Sequence, residues 1–200
     1  YYWLGDADQP TYTRGPDESL ASIAKAASEH PVETWLRYML ESNGETLFHI
    51  RFFNHDLDKV NTFLHADWVL PGIGDAGAHV SQIMDSGWTS FLLGHWHRDQ
   101  GTFSLAEAVR KLTSAQARVI GLDDRGTLAA GKRADVNVID VNRVAERQPQ
   151  LVHDFPEGAP RLIQKAVGYQ ATVCNGHVIL ENDEHTGACG GRVLRNSASA

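Results

Sequence analysis

Two cysteines, Cys174 and Cys189, are all that the 200 residues contain, and no CxxC spacing joins them. A disulfide-dense framework is excluded, and a reducing, cytoplasmic location is expected. Basic clusters are lacking too: 18 Lys and Arg stand against 25 Asp and Glu, giving a formal net charge of −7 and a pI near 5.8. Without a Lys/Arg patch to neutralise phosphates, nucleic acid is not an expected partner. No apolar run reaches the roughly 18 to 20 residues that cross a bilayer, and no charged start leads into an apolar block, so neither a membrane partner nor a signal peptide is expected. An initiator methionine is missing as well; the chain opens directly on YYWL and reads as a fragment.

What is present is a 42% hydrophobic chain, long enough for one large domain or two small ones. Apolar or small residues at 20, 23, 24 and 27 predict a helix within residues 17–30, with Asp17 as N-cap and Pro31 as the stop. Trp35, Leu36, Met39 and Leu40 form the stripe of a second helix over 32–42, ended by Asn43-Gly44. The aromatic-rich run 46–53 predicts a strand, 57–64 a short helix, and 68–73 a buried strand closed by glycines. Ser104 and Glu107 make a capping box for a helix over 104–112. Strands alternating with helices imply parallel βαβ units. After Gly121 the pattern turns to turn-rich sequence, a strand over 136–141, and strands 166–174 and 177–181 joined by Asn175-Gly176, a strong hairpin signal. A boundary near 121 follows, with residues 1–121 α/β and barrel-like and residues 122–200 a small β unit. The Ser/Ala tail 196–200 is expected to fray.

The stretch PGIGDAGAH at 71–79 sets Asp75 among glycines where a parallel strand would end, the place where catalytic groups collect in α/β barrels. A carboxylate there can ligate a metal or take a proton from metal-activated water; it can equally cap the next helix or turn. His79, four residues on, stays near the same strand end as a candidate substrate-binding residue, ligand or hydrogen-bond donor. His95 and His97 would share a face on a strand, but the WTSFLLG before them reads as a helix or loop, and on a helix the two point apart. His49 lies on the first predicted strand with only its parity defined. The remaining histidines form no HxxxH pair, and the one HxxE, His30 to Glu33, spans Pro31, where a helix break is expected. The glycines at 72, 74 and 77 mimic GxGxxG, but Asp75 would oppose a pyrophosphate. No GxSxG elbow and no Cys/His nucleophile pair is evident.

Taken together, GDAGAH (74–79), LLGHW (92–96) with Arg98-Asp99, LAEAV (105–109) with Leu112-Thr113, GLDDRG (121–126) and GKRADVNVID (131–140) resemble the C-terminal part of N-acyl-D-amino-acid deacylases of the amidohydrolase superfamily. The likeness continues through DFPEG (154–158), Arg161-Leu162, Gly168-Tyr169, VCNG (173–176) and Thr186-Gly187, and so covers most of the chain from Pro71 onward. The resemblance implies the C-terminal portion of a zinc-dependent (β/α)₈ barrel, with 46–53 and 68–73 as its seventh and eighth strands, followed by part of a small β-sandwich. It implies that Asp75 binds or approaches the metal and acts as general base and acid in amide hydrolysis.

In that family the HxH pair of the first strand, the Cys or bridging ligand and the later histidines all precede the eighth strand. Most zinc ligands are therefore expected upstream, in another part of the same enzyme, and hydrolysis by these residues alone is not expected, since a catalytic zinc takes three protein ligands. The family also places an arginine for the substrate carboxylate shortly after the aspartate; here the next Lys or Arg after Asp75 is Arg98. The small-molecule amide substrate is thus an N-acyl-D-amino acid or a related amide. The alternatives are a cyclic amidohydrolase, dihydropyrimidinase-like or urease-like, and a non-catalytic fragment that binds a partner chain.

Overall fold

A computed structural model describes residues 1–194, so the predicted tail 196–200 lies outside the described residues. The chain divides into two compact units, Tyr1–Ala66 and Asp67–Ala200. Helices and antiparallel strands make up both, and no helix among the described residues is long and apolar enough to cross a membrane.

In the first unit, β1 (Tyr2–Trp3) pairs antiparallel with β2 (Phe48–His49) beside helices α1 (Leu20–Ala27), α2 (Pro31–Glu41) and α3 (Leu57–Leu64). Ser19, not Asp17, caps α1: its side chain accepts from the Ser22 N–H. Pro31 begins α2 and does not merely end the helix before it. At the first helical position a proline loses no hydrogen bond, and His30 and Glu33 close the cap. The Val32 N–H donates to His30 Nδ1 at 3.2 Å, and the His30 N–H donates to the Glu33 carboxylate at 2.9 Å. The HxxE is a cap. Leu4, Leu20, Ala24 and Leu64 form the buried core, together with Thr34, whose hydroxyl donates to Glu29.

Neither predicted barrel strand forms as such. Within 46–53 only β2 is a strand, and 68–73 carries none. Every strand pairing among the described residues is antiparallel. The physical reason is that a strand, unlike a helix, takes its hydrogen bonds from a neighbour, and here no parallel neighbour stands beside either run. Phe53, Trp68 and Ile73 are left 84%, 83% and 99% exposed.

The second unit packs helices on a small β assembly. α4 (Trp88–Phe91) runs on into a wide helical segment, Leu92–Asp99, and α5 (Leu105–Leu112) and α6 (Ser114–Ile120) follow. The Ser104/Glu107 box caps α5 as its residues predict. From Gly121, which ends α6 in a left-handed cap, the longer elements are all strands. β8 (Tyr169–Cys174) and β9 (His177–Glu181) form the hairpin about Asn175-Gly176 and continue into a four-stranded sheet between β3 (Val136–Ile139) and β10 (Glu184–His185). Beside it, β4 (Ala145–Glu146) pairs with β7 (Ala166–Val167), and β5 (Gln150–Val152) with β6 (Arg161–Ile163).

Leu92, Leu93 and Trp96 of the wide segment, with Phe103, Ala108, Ala117 and Val144, fill the core. Arg98 reaches across to donate to the Val144 carbonyl at 2.7 Å. Gly168, at φ +92°, lies where an added Cβ would stand 2.7 Å from the Val144 backbone, so no side chain fits there without movement. The GLDDRG and GKRAD runs fasten this unit. Asp124 binds Arg125 and Arg133, Arg125 also binds Asp135, and Asp135 accepts the Asn175 N–H at 2.7 Å at the hairpin turn.

Candidate active site

The segment leading to Asp75 is held by side chains instead of a strand ladder. Buried Lys111 of α5 donates to the Val69 carbonyl at 3.3 Å, and Gln116 of α6 donates to the Pro71 carbonyl. These two carbonyls, two residues apart, both accept from helix side chains, which supply donors that a neighbouring strand would otherwise give. Lys111 Nζ also lies 5.4 Å from the Phe103 ring centre, and burial holds its ammonium below the usual lysine range.

Asp75 itself is exposed. Its N–H donates to Asp85 Oδ2 at 2.8 Å, and its carbonyl accepts the Ala78 N–H at 2.9 Å, so the backbone of Asp75 sits in a turn while its carboxylate is left outside. His79 is also exposed, at φ +50°, and its carbonyl accepts the Gln82 N–H at 2.7 Å. Both residues lie on one loop, and no contact between their side chains is formed.

His95 and His97 diverge, as expected for a helix. His95 stacks on Phe91 with ring centres 4.6 Å apart, and burial keeps its imidazole below the ordinary range. His97 Nδ1 lies 2.8 Å from the Phe103 carbonyl. In the first unit, His49 sits between Tyr2 and Tyr12, at 5.3 and 6.1 Å, with its Nε2 buried and without a hydrogen-bond partner. Burial, then the nearby Arg51, depress its pKa to about 4, so it is neutral at pH 7.

No group of three His, Cys, Asp or Glu side chains able to hold a metal occurs among the described residues. The donor set within the chain does not by itself fit a catalytic zinc, which takes three protein ligands and an open position. A cleft of about 520 Å³ opens elsewhere in the second unit, lined by Ser86, Ser90, Gln164, Tyr169, Thr172 and His185 among others, with Ser90 Oγ 3.0 Å from the Tyr169 hydroxyl. Neither Asp75 nor His79 lines it. Asp85, which accepts the Asp75 N–H from ten positions away, stands in no recognisable motif and left no local signal in the sequence.

The model of the amidohydrolase family matches residues 9–180. A D-aminoacylase of Alcaligenes xylosoxydans xylosoxydans is 35% identical over 114 residues, 56% of this chain and 22% of that protein. An N-acyl-D-glutamate deacylase of the same organism is 36% identical over 114 residues, 56% of this chain and 21% of that protein. A solved structure concerned with the binuclear metal center in D-aminoacylase is 24% identical with a TM-score of 0.49, covering 90% of this chain and 35% of that one. The chain spans about a fifth of the length of the curated relatives it matches.

Proposed function

Because the chain belongs to the amidohydrolase family, we propose that it forms part of a metal-dependent hydrolase of carbon–nitrogen amide bonds, of the D-aminoacylase type, with Asp75 as its general base and acid. In this reading residues 1–121 contribute to the closing part of the barrel and residues 122–200 to a small β-sandwich. The observation that carries it is the placement of Asp75. An exposed carboxylate follows a segment anchored at Val69 and Pro71, in a chain whose family match covers residues 9–180.

A bound metal, zinc in this proposal, would activate water and polarise the amide carbonyl. Asp75 is the one donor proposed from within this chain. The other ligands come from another part of the same enzyme, and the exposed Trp68 and Ile73 of the second unit are apolar surface that part would cover. The chemistry assigned to Asp75 is proton transfer: its carboxylate takes the proton of the attacking water and returns one to the departing nitrogen. His79 is retained as a substrate-binding candidate on the same loop.

The decisive test is Asp75→Asn in the metal-loaded enzyme that also carries the part supplying the other ligands. Loss of the base should lower kcat by about 10²- to 10⁴-fold, with metal content measured alongside; unchanged turnover removes Asp75 as the base. One observation favours a second substrate class: from residue 76 to 97 there is no Lys or Arg to receive a free α-carboxylate. Amides without that carboxylate, cyclic amides included, then become substrates. An N-acyl-D-amino acid hydrolysed no faster than its methyl ester supports that class, and a marked preference for the free acid rejects it.

A further inference from the structure

We propose that Asp85 and Gln164 are positioning residues for Asp75, acting through the backbone of its loop and touching no reacting atom. The proposal rests on the reading of Asp75 as the proton-transfer group. Three ties hold the loop 75–85. At its end, the Asp85 carboxylate accepts the Asp75 N–H at 2.8 Å, a charge-assisted bond that closes the loop on itself. Asp85 also lies flush on Gly74: a Cβ at 74 would stand 2.6 Å from the Asp85 carbonyl oxygen and 2.8 Å from Oδ1, so the residue before Asp75 has to be glycine for this clamp to close. In its middle, the Val80 carbonyl accepts the Leu162 N–H of β6 at 2.8 Å.

Beyond Asp85 the third tie leads into the β assembly. The Gly87 N–H donates to Gln164 Oε1 at 2.9 Å, the Ser86 hydroxyl lies 3.4 Å from the same oxygen, and Gln164 Nε2 donates to the Arg147 carbonyl at 2.9 Å. A Cβ at Gly87 would stand 2.6 Å from Glu146 Cβ, so the chain passes as closely over β4 as backbone permits. The run from Arg147 through Gln164 and Gly87 to Asp85 and Asp75 is continuous. It gives the β assembly a purpose at the candidate site, that of a rigid footing for a catalytic group which itself sits on a loop. Side chains that hold the loop through its backbone act on where the Asp75 carboxylate stands, and misplacement of a reacting group by about 1 Å costs on the order of 10²-fold in rate.

The test compares Asp85→Ala, Asp85→Asn and Gln164→Ala in the metal-loaded enzyme that also carries the part supplying the other ligands, reading kcat, KM and the hydrogen exchange of the Asp75 amide. Asp85→Ala is expected to speed exchange at Asp75 and to lower kcat by about tenfold with KM within about twofold, since only alignment is lost. Asp85→Asn keeps an acceptor oxygen and should recover most of both, and Gln164→Ala should show the same pattern weakened to about threefold in kcat. Unchanged exchange at Asp75 overturns the clamp. Faster exchange with unaltered kcat, or a fall confined to KM, overturns the positioning role. Failure of the underlying assignment is seen separately, as full turnover by Asp75→Asn.

Discussion

In the first unit a half-buried imidazole, and in the second a half-buried carboxylate, respond to acid in opposite senses. His49, packed between two tyrosines, has its pKa driven down from 6.5 to about 4, so its neutral form is the folded form. Glu146 of β4, under Gly87, has its pKa pushed up to about 6 by burial, against the partial relief of Arg98, so it too is favoured neutral. Burial disfavours charge in both cases. For a base, however, the neutral state lies at high pH, and for an acid at low pH. The stability tied to His49 is present above pH 6.5 and is lost as pH falls toward 4. The stability tied to Glu146 is present below 4.5 and is lost as pH rises through 6. No single pH therefore favours both of these groups at once.

The largest effect should come from His49. Discounted for its partial exposure, its shift corresponds to about 2 kcal/mol of stability lost between pH 6.5 and 4 in the first unit. In His49→Gln, amide exchange of α1 and α2 should be nearly independent of pH over that window; an unchanged slope would move the acid sensitivity to another group. Next comes Glu146→Gln, which should stabilise the second unit by about 1 kcal/mol at pH 7 and leave it unaltered at pH 4. Denaturant unfolding at the two pH values measures the difference, and equal shifts at both would assign the gain to packing instead of charge. The smallest effect is expected from an exposed pair. Arg161 holds Asp154 bidentately at 2.6 and 2.7 Å, yet Arg161→Ala should move the thermal midpoint by only about 1 °C, because water screens the charges. A larger fall would show that surface pairs, and not buried charge, dominate the second unit.

The parts of this fold that were legible in the sequence are the self-sufficient ones. α1 follows from its apolar spacing, α5 from the Ser104/Glu107 box, and the β8–β9 hairpin from Asn175-Gly176, each needing only residues close by in the chain. The runs 46–53 and 68–73 have strand composition, but composition cannot supply the neighbour a strand bonds to. Helix α2 was legible except at its start, where the break expected at Pro31 is a cap made by His30 and Glu33. For the candidate site, the divergence of His95 and His97 was readable, and flanking glycines single out Asp75 as the residue proposed. Asp85, Gln164 and the anchoring Lys111 and Gln116 were not, because their importance lies in backbone groups they reach 10 to 77 residues away.

The anchoring of Val69 and Pro71 by Lys111 and Gln116 also bears on the order in which the molecule assembles. α5 and α6 can form early from local contacts, whereas their grip on the segment before Asp75 closes loops of 42 and 45 residues and must wait for them. Asp75 is therefore set in place late, after the helices that hold its approach. A chain caught before that step would have most of its secondary structure and no fixed position for the carboxylate.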